Sequence, residues 1–90
     1  MMKINAAHIL VGTLAEATAI KEKINEGSDF SLLASEYSTC PSGKNGGNLG
    51  FFGRGQMVKE FETVAFDTDV NTVSDPVRTQ FGYHLIKRLY

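Results

Sequence analysis

Two histidines and one cysteine are the residues of this chain best suited to chemistry at neutral pH. His8 lies in Ala7-His8-Ile9 and His84 in Gly82-Tyr83-His84-Leu85, each inside an apolar stretch near opposite ends of the chain. Pairing of the terminal strands would bring both imidazoles to one face of a sheet. The commoner role for such a histidine is structural, satisfied by a hydrogen bond; catalysis is the sharper alternative. Cys40 has three options. It can be a small buried hydrophobe, a nucleophile activated by a nearby imidazole, or, with both histidines, a zinc ligand. Neither C-x-x-C nor H-x-x-x-H spacing occurs, so no metal and no other cofactor is expected.

The segment that must present Cys40 runs from Thr39 to Met57 and holds six of the nine glycines. That density rules out a long regular helix. The segment still carries Leu49, Phe51, Phe52 and Met57, which a solvated linker would not need. A glycine-rich stretch with its own apolar anchors is an ordered loop shaped around a ligand. Phosphate is a poor fit for it. Gly43-Lys44 is followed by Asn45 rather than Ser or Thr, and Gly50 to Gly55 does not match G-x-G-x-x-G. Leu49, Met57 and Phe61 can be ordinary core or the walls of an apolar pocket.

Ninety residues make one domain, 1–90, with room for one modest core. Nine basic residues against ten acidic ones, with no basic block, argue against nucleic acid or an anionic membrane as partner. A single cysteine suits a reducing compartment, and no stretch has the composition of a leader or a membrane span. A cytoplasmic monomer is expected.

The positioning elements follow from periodicity. Lys3–Val11 alternates as a strand, with Ile4, Ala6, His8 and Leu10 on one face and Asn5, Ala7, Ile9 and Val11 on the other. Thr13 and Glu16 form a capping box for a helix whose stripe is Ala17, Ile20 and Ile24, ended by Gly27. Asp29 caps a second helix with Phe30, Leu33, Ala34 and Tyr37 on its packed face, stopped at Cys40-Pro41. A short strand is expected at Leu49–Phe52 and a third helix from about Met57 to Phe66. Thr72–Ser74 with Val77–Arg78 suits an edge strand around Pro76, and Tyr83–Tyr90 a closing strand. This order suits an α+β domain with a small, mostly antiparallel sheet.

Taken together these segments resemble the parvulin-type peptidyl-prolyl cis/trans isomerases over almost the whole chain. The carriers are Ala7-His8-Ile9-Leu10-Val11, Asp29-Phe30-Ser31-Leu32-Leu33-Ala34, Cys40-Pro41-Ser42-Gly43, Gly46-Gly47-Asn48-Leu49-Gly50-Phe51-Phe52, Gly55-Gln56-Met57-Val58 with Phe61, and Phe81-Gly82-Tyr83-His84-Leu85-Ile86. The resemblance implies a four-stranded antiparallel sheet surrounded by four helices, one of them short and inside the glycine-rich region. It implies His8 and His84 side by side with Cys40 facing the substrate, and Thr79 supporting the histidines by hydrogen bonding. Leu49, Met57 and Phe61 would line a proline pocket, with Gln56 and Phe81 near it. Two departures stand out: Glu60 occupies a position where the family often has Pro, and Gly12-Thr13 replaces the basic insertion of phosphate-directed members.

The implied chemistry suits the residues. Rotation about X–Pro crosses a resonance barrier of roughly 18–20 kcal/mol, and no bond need be made or broken. An apolar pocket with weakly polar donors can bind the twisted amide better than the planar one. The expected partners are proline-containing peptides and unfolded or folding proteins. A binding module that grips proline segments without turnover, and a thiol hydrolase using Cys40 and His84, are the alternatives; turnover of a cis-proline peptide and release of a cleaved product separate the three.

Overall fold

The computed structural model describes residues 2–90. The elements in order are β1 (Lys3–Val11), α1 (Leu14–Asn25), α2 (Phe30–Tyr37), a 3-10 helix (Pro41–Asn45), β2 (Asn48–Gly53), α3 (Lys59–Asp67), β3 (Val77–Thr79) and β4 (Gly82–Arg88). The strands form one antiparallel sheet in the order β2-β1-β4-β3, so the two ends of the chain supply its central pair.

The period-two pattern of β1 sorts the core into two halves. Ala7, Ile9 and Val11 face Ala17 and Ile20 of α1 and Phe30, Leu33 and Ala34 of α2. Ile4 and Ala6 face the other way, onto Phe52, Phe61, Ala65 and Ile86. Ile4, Ile9, Leu85 and Ile86 are fully buried, each worth about 1.5–3 kcal/mol in area removed from water. The sheet is thus covered on both faces, by α1 and α2 on one and by α3 on the other.

Local signals decide the helix ends. Thr13 Oγ1 accepts from Glu16 N–H at 3.2 Å and donates to Glu16 Oε1 at 2.9 Å. The Glu16 carboxylate thereby meets the threonine hydroxyl rather than the backbone N–H of a full capping box. Asp29 caps α2 through Leu32 N–H, and Gly27 follows α1 at φ 103°. Arg88 reaches across from β4 to donate to Phe66 O and Thr68 O, meeting carbonyls at the end of α3.

Four expectations need correction. The fold has three α-helices, and the short fourth is a 3-10 helix of five residues. Pro41 opens it, its bonds run from Gly43 N–H to Cys40 O and from Gly46 N–H to Gly43 O, and left-handed Gly46 ends it before an α-turn can propagate. Helix α3 begins at Lys59, because Val58 is extended at ψ 148° and leaves Met57 in the preceding turn. Tyr37 is 40% exposed rather than packed; its hydroxyl accepts from Lys23 Nζ at 3.1 Å, a bond available only at the surface. The Thr72–Ser74 part of the edge strand is reduced to a single bridge, Val73 to Lys87, beyond the three-residue β3.

Candidate active site

His8 and His84 stand on neighbouring strands, on the sheet face that carries Ile4 and Ala6. Register places His8 opposite Ile86 and Leu10 opposite His84, so the two imidazoles are diagonal neighbours within reach of each other. Their Nδ1 atoms lie 2.9 Å apart and the rings stack at 19°. On the edge strand, Thr79 Oγ1 lies 2.7 Å from His84 Nε2 and accepts from Phe81 N–H.

One tautomer assignment satisfies each contact and also uses the Thr79 hydroxyl proton. Thr79 Oγ1 already accepts from Phe81 N–H, and its own proton has His84 Nε2 as partner. Nε2 of neutral His84 is then the acceptor and Nδ1 carries the ring proton, which donates to His8 Nδ1. In that assignment His8 carries its proton on Nε2. That nitrogen is buried without a hydrogen-bond partner, one of two such side-chain atoms among the described residues, the other being Asn5 Oδ1. Burial, then the neighbouring His84, push His8 down from 6.5 to about 4, and burial lowers His84 as well. Both rings are neutral at pH 7.

Phe61 of α3 closes the pair from above, edge-on to His8 at 5.5 Å and to His84 at 5.2 Å between ring centroids. Around these rings is a cavity of about 420 Å³ lined by His8, Cys40, Leu49, Gln56, Met57, Val58, Phe61, Phe81 and His84. Eight of the nine residues singled out from the sequence therefore line one cavity, and Thr79, the ninth, is bonded behind it to His84. Its lining includes no Lys or Arg.

The glycine-rich segment brings Cys40 and Leu49 to this cavity by backbone contacts. Leu10 O accepts from Thr39 N–H and Thr39 Oγ1, while Ser38 Oγ accepts from Leu10 N–H and Cys40 N–H. These bonds hold the residues around Cys40 against β1. Ser42 Oγ donates to Cys40 Sγ at 3.2 Å. Gly47, at φ 83°, accepts from His8 N–H through its carbonyl at 2.9 Å, and a Cβ there would stand 2.3 Å from His8 O. Further on, β2 gains one residue against β1 between Asn5 and Ala7. This bulge, with Gly50 at φ 75°, bends the strand where Leu49 enters the cavity.

Sequence reasoning missed Val58, whose place beside Met57 was the available signal. It also missed Ser38 and Ser42, ordinary loop serines whose contacts with Leu10 and Cys40 only the folded chain creates.

Residues 8–89 match the family model described as Rotamase, PPIC-type PPIase domain. The foldase protein PrsA of Geobacillus kaustophilus is 56% identical over 86 residues, covering 94% of this chain and 31% of its own length. Among solved structures, PrsA from Bacillus subtilis superposes with a TM-score of 0.95 at 46% identity, covering 98% of this chain and 35% of that one. The parvulin of Nitrosopumilus maritimus superposes at 0.90 with 48% identity, and there the match covers 100% of this chain and 98% of that one. The chain spans about a third of the length of the PrsA relatives and nearly all of the archaeal parvulin. With the sheet, the paired histidines and the apolar cavity all in place, the chain belongs to the parvulin family of PPIC-type peptidyl-prolyl cis/trans isomerases.

Proposed function

We propose that this domain catalyses rotation about X–Pro bonds in unfolded and folding proteins, holding the proline ring in the apolar cavity and favouring the twisted amide without a covalent step. The observation that carries this reading is the cavity itself, an apolar enclosure lined by a neutral His8–His84 pair with one unpartnered ring nitrogen. A planar amide is the more polar form, so transfer into an apolar site costs it more than the twisted form. As the bond twists, the nitrogen lone pair localises and becomes an acceptor. A donor such as His8 Nε2–H then gains a hydrogen bond that the planar substrate does not offer, which lowers the barrier.

The foldase names of the PrsA relatives support assistance to protein folding as the wider role. Action as a monomer belongs to the same proposal, and light scattering of the purified domain tests it. A two-residue connection between β1 and α1, Gly12-Thr13, and a cavity lining free of Lys and Arg support substrates without phosphate before proline. Cytoplasmic residence belongs to the same proposal, supported by the unpaired Cys40, and cell fractionation tests it.

Exchange NMR on a short Ala-Pro peptide tests the central claim. Cis/trans exchange should become far faster than the uncatalysed interconversion, which takes tens to hundreds of seconds. Binding of the peptide with no acceleration would replace the enzyme by a proline-binding module.

A further inference from the structure

Cys40 is shared by two hollows. On one side it lines the apolar cavity. On the other it borders a second hollow of about 280 Å³, set between the end of α2 and the 3-10 helix, with Ser38, Thr39 and Lys44 in its wall. The cavity has no Lys or Arg in its lining, whereas the second hollow holds one full charge, the Lys44 ammonium, and no carboxylate.

The polar groups of this hollow are left with protons to donate. Ser38 Oγ accepts from Leu10 N–H at 3.0 Å and from Cys40 N–H at 3.3 Å. A serine oxygen has two lone pairs, so what remains to it is the hydroxyl proton. Among the described residues no acceptor takes that proton. Lys44 is exposed, and the ion pairs of the described residues are Lys21–Asp75 and Arg54–Glu62, which leaves its ammonium unpaired. A purely structural Lys44 would offset the negative end of α2. No carbonyl of α2 accepts from it, however, and Ala34 O is already met by Ser38 N–H. Two open donors, one of them charged, complement a carboxylate.

Resting on the isomerase reading, we infer that this hollow is a subsite for an acidic side chain on a residue adjoining the substrate proline. Successive residues of an extended chain are spaced by about 3.3–3.6 Å. With the proline ring in the cavity, a neighbouring residue therefore reaches Cys40 and turns its side chain across that wall. A Glu or Asp carboxylate there accepts from Lys44 Nζ and from the Ser38 hydroxyl. One ammonium matches one carboxylate in charge, and the hollow offers no second cation for a phosphate dianion. The pair forms at the surface, so it is modest and weakened by salt. It sets the choice among proline segments and leaves the rotation itself to the cavity.

The test measures kcat/KM for three peptides capped at both ends, Ala-Ala-Pro-Ala, Ala-Glu-Pro-Ala and Ala-Ala-Pro-Glu. One of the Glu peptides should exceed the Ala peptide by about two- to fivefold at low salt and lose that advantage at about 1 M salt. Lys44→Arg should keep this order and Lys44→Met should bring the ratio to about one. In Lys44→Glu the order should invert, with a Lys peptide of the same design now preferred. Each comparison is a ratio within one variant, so a general loss of activity does not enter it. Equal kcat/KM for all three peptides in the wild type, or a Glu preference that survives in Lys44→Met or Lys44→Glu, would overturn the inference alone. A wild-type domain that speeds exchange in none of the peptides overturns the isomerase reading and this inference with it.

Discussion

His8 and His84 share a single proton between their Nδ1 atoms across 2.9 Å, from diagonal rather than directly opposed positions on β1 and β4. That one contact ties the protonation state of the site to the pairing of the two chain ends. It holds only while at least one ring is neutral, because two imidazolium ions would each present an N–H and no acceptor.

Stability should therefore fall with acid in a window set by these rings. The folded His8 is depressed from 6.5 to about 4, so the unfolded chain binds more protons between those values and stability rises with pH there. The contribution is fully present above about pH 6.5, is lost as pH falls towards 4, and amounts to of order 3 kcal/mol. Urea midpoints at pH 7.5 and 4.5 should differ in the wild type and differ less in folded His8→Asn. An imidazole resonance of His8 titrating near 6.5 in the native protein would contradict this.

Thr79 is the support on which the tautomers depend. Thr79→Val keeps the shape but removes the acceptor of Phe81 N–H and the donor to His84 Nε2. The expected cost is about 1–3 kcal/mol of stability for a buried group left without its partner, together with a fall in kcat. Thr79→Ser should restore most of both. Equal activity in the valine and serine variants, measured on folded protein, would mean that the hydroxyl plays no part.

Much of this architecture was legible in the chain because short-range rules govern it. The alternation in β1 placed His8 opposite to the α1 and α2 side, and the spacing of Phe30, Leu33 and Ala34 located the buried face of α2. Tyr37 obeyed the same spacing yet stayed at the surface, since a Lys23 contact decided its position and periodicity cannot register that. The pairing of His8 with His84 needed the strand register, which follows from how the chain ends meet. The Gln56–Gly53 and Glu62–Gly55 bonds were illegible for a different reason: they join a loop backbone to side chains that carry no mark of it in sequence.

Phe61 is 3% exposed and packs against both histidines and Phe52. Phe61→Ala should cost about 3–5 kcal/mol of stability and abolish most turnover in the fraction that remains folded. Met57 is half-buried at the cavity wall, so Met57→Ala should weaken peptide binding with a smaller loss of stability. Wild-type turnover in both folded variants would place the proline ring elsewhere.

Cys40 accepts a hydrogen bond from Ser42 and lines the cavity without touching either histidine by a hydrogen bond. A nucleophile would need a base within reach. Cys40→Ser and Cys40→Asp should both keep turnover, and mass spectrometry during catalysis should show unmodified protein. A trapped covalent adduct, or complete loss of activity in both folded variants, would revive the hydrolase.

Gly47 and Gly50 separate two costs that a glycine can avoid. Both have positive φ, 83° and 75°, so an L-residue at either carries about 1–2 kcal/mol of backbone strain. Only Gly47 is also crowded: its Cβ would stand 2.3 Å from His8 O and 3.2 Å from His8 N, whereas a Cβ on Gly50 meets nothing within 4 Å. Gly50→Ala should therefore lose the strain term alone and keep turnover. Gly47→Ala should lose about 1–3 kcal/mol more through overpacking, and because β1 must yield there, His8 moves away from His84 and kcat falls with it. Urea unfolding gives the first comparison and the folded-protein rate gives the second. Equal losses in the two variants would mean that Gly47 does not fix the position of His8.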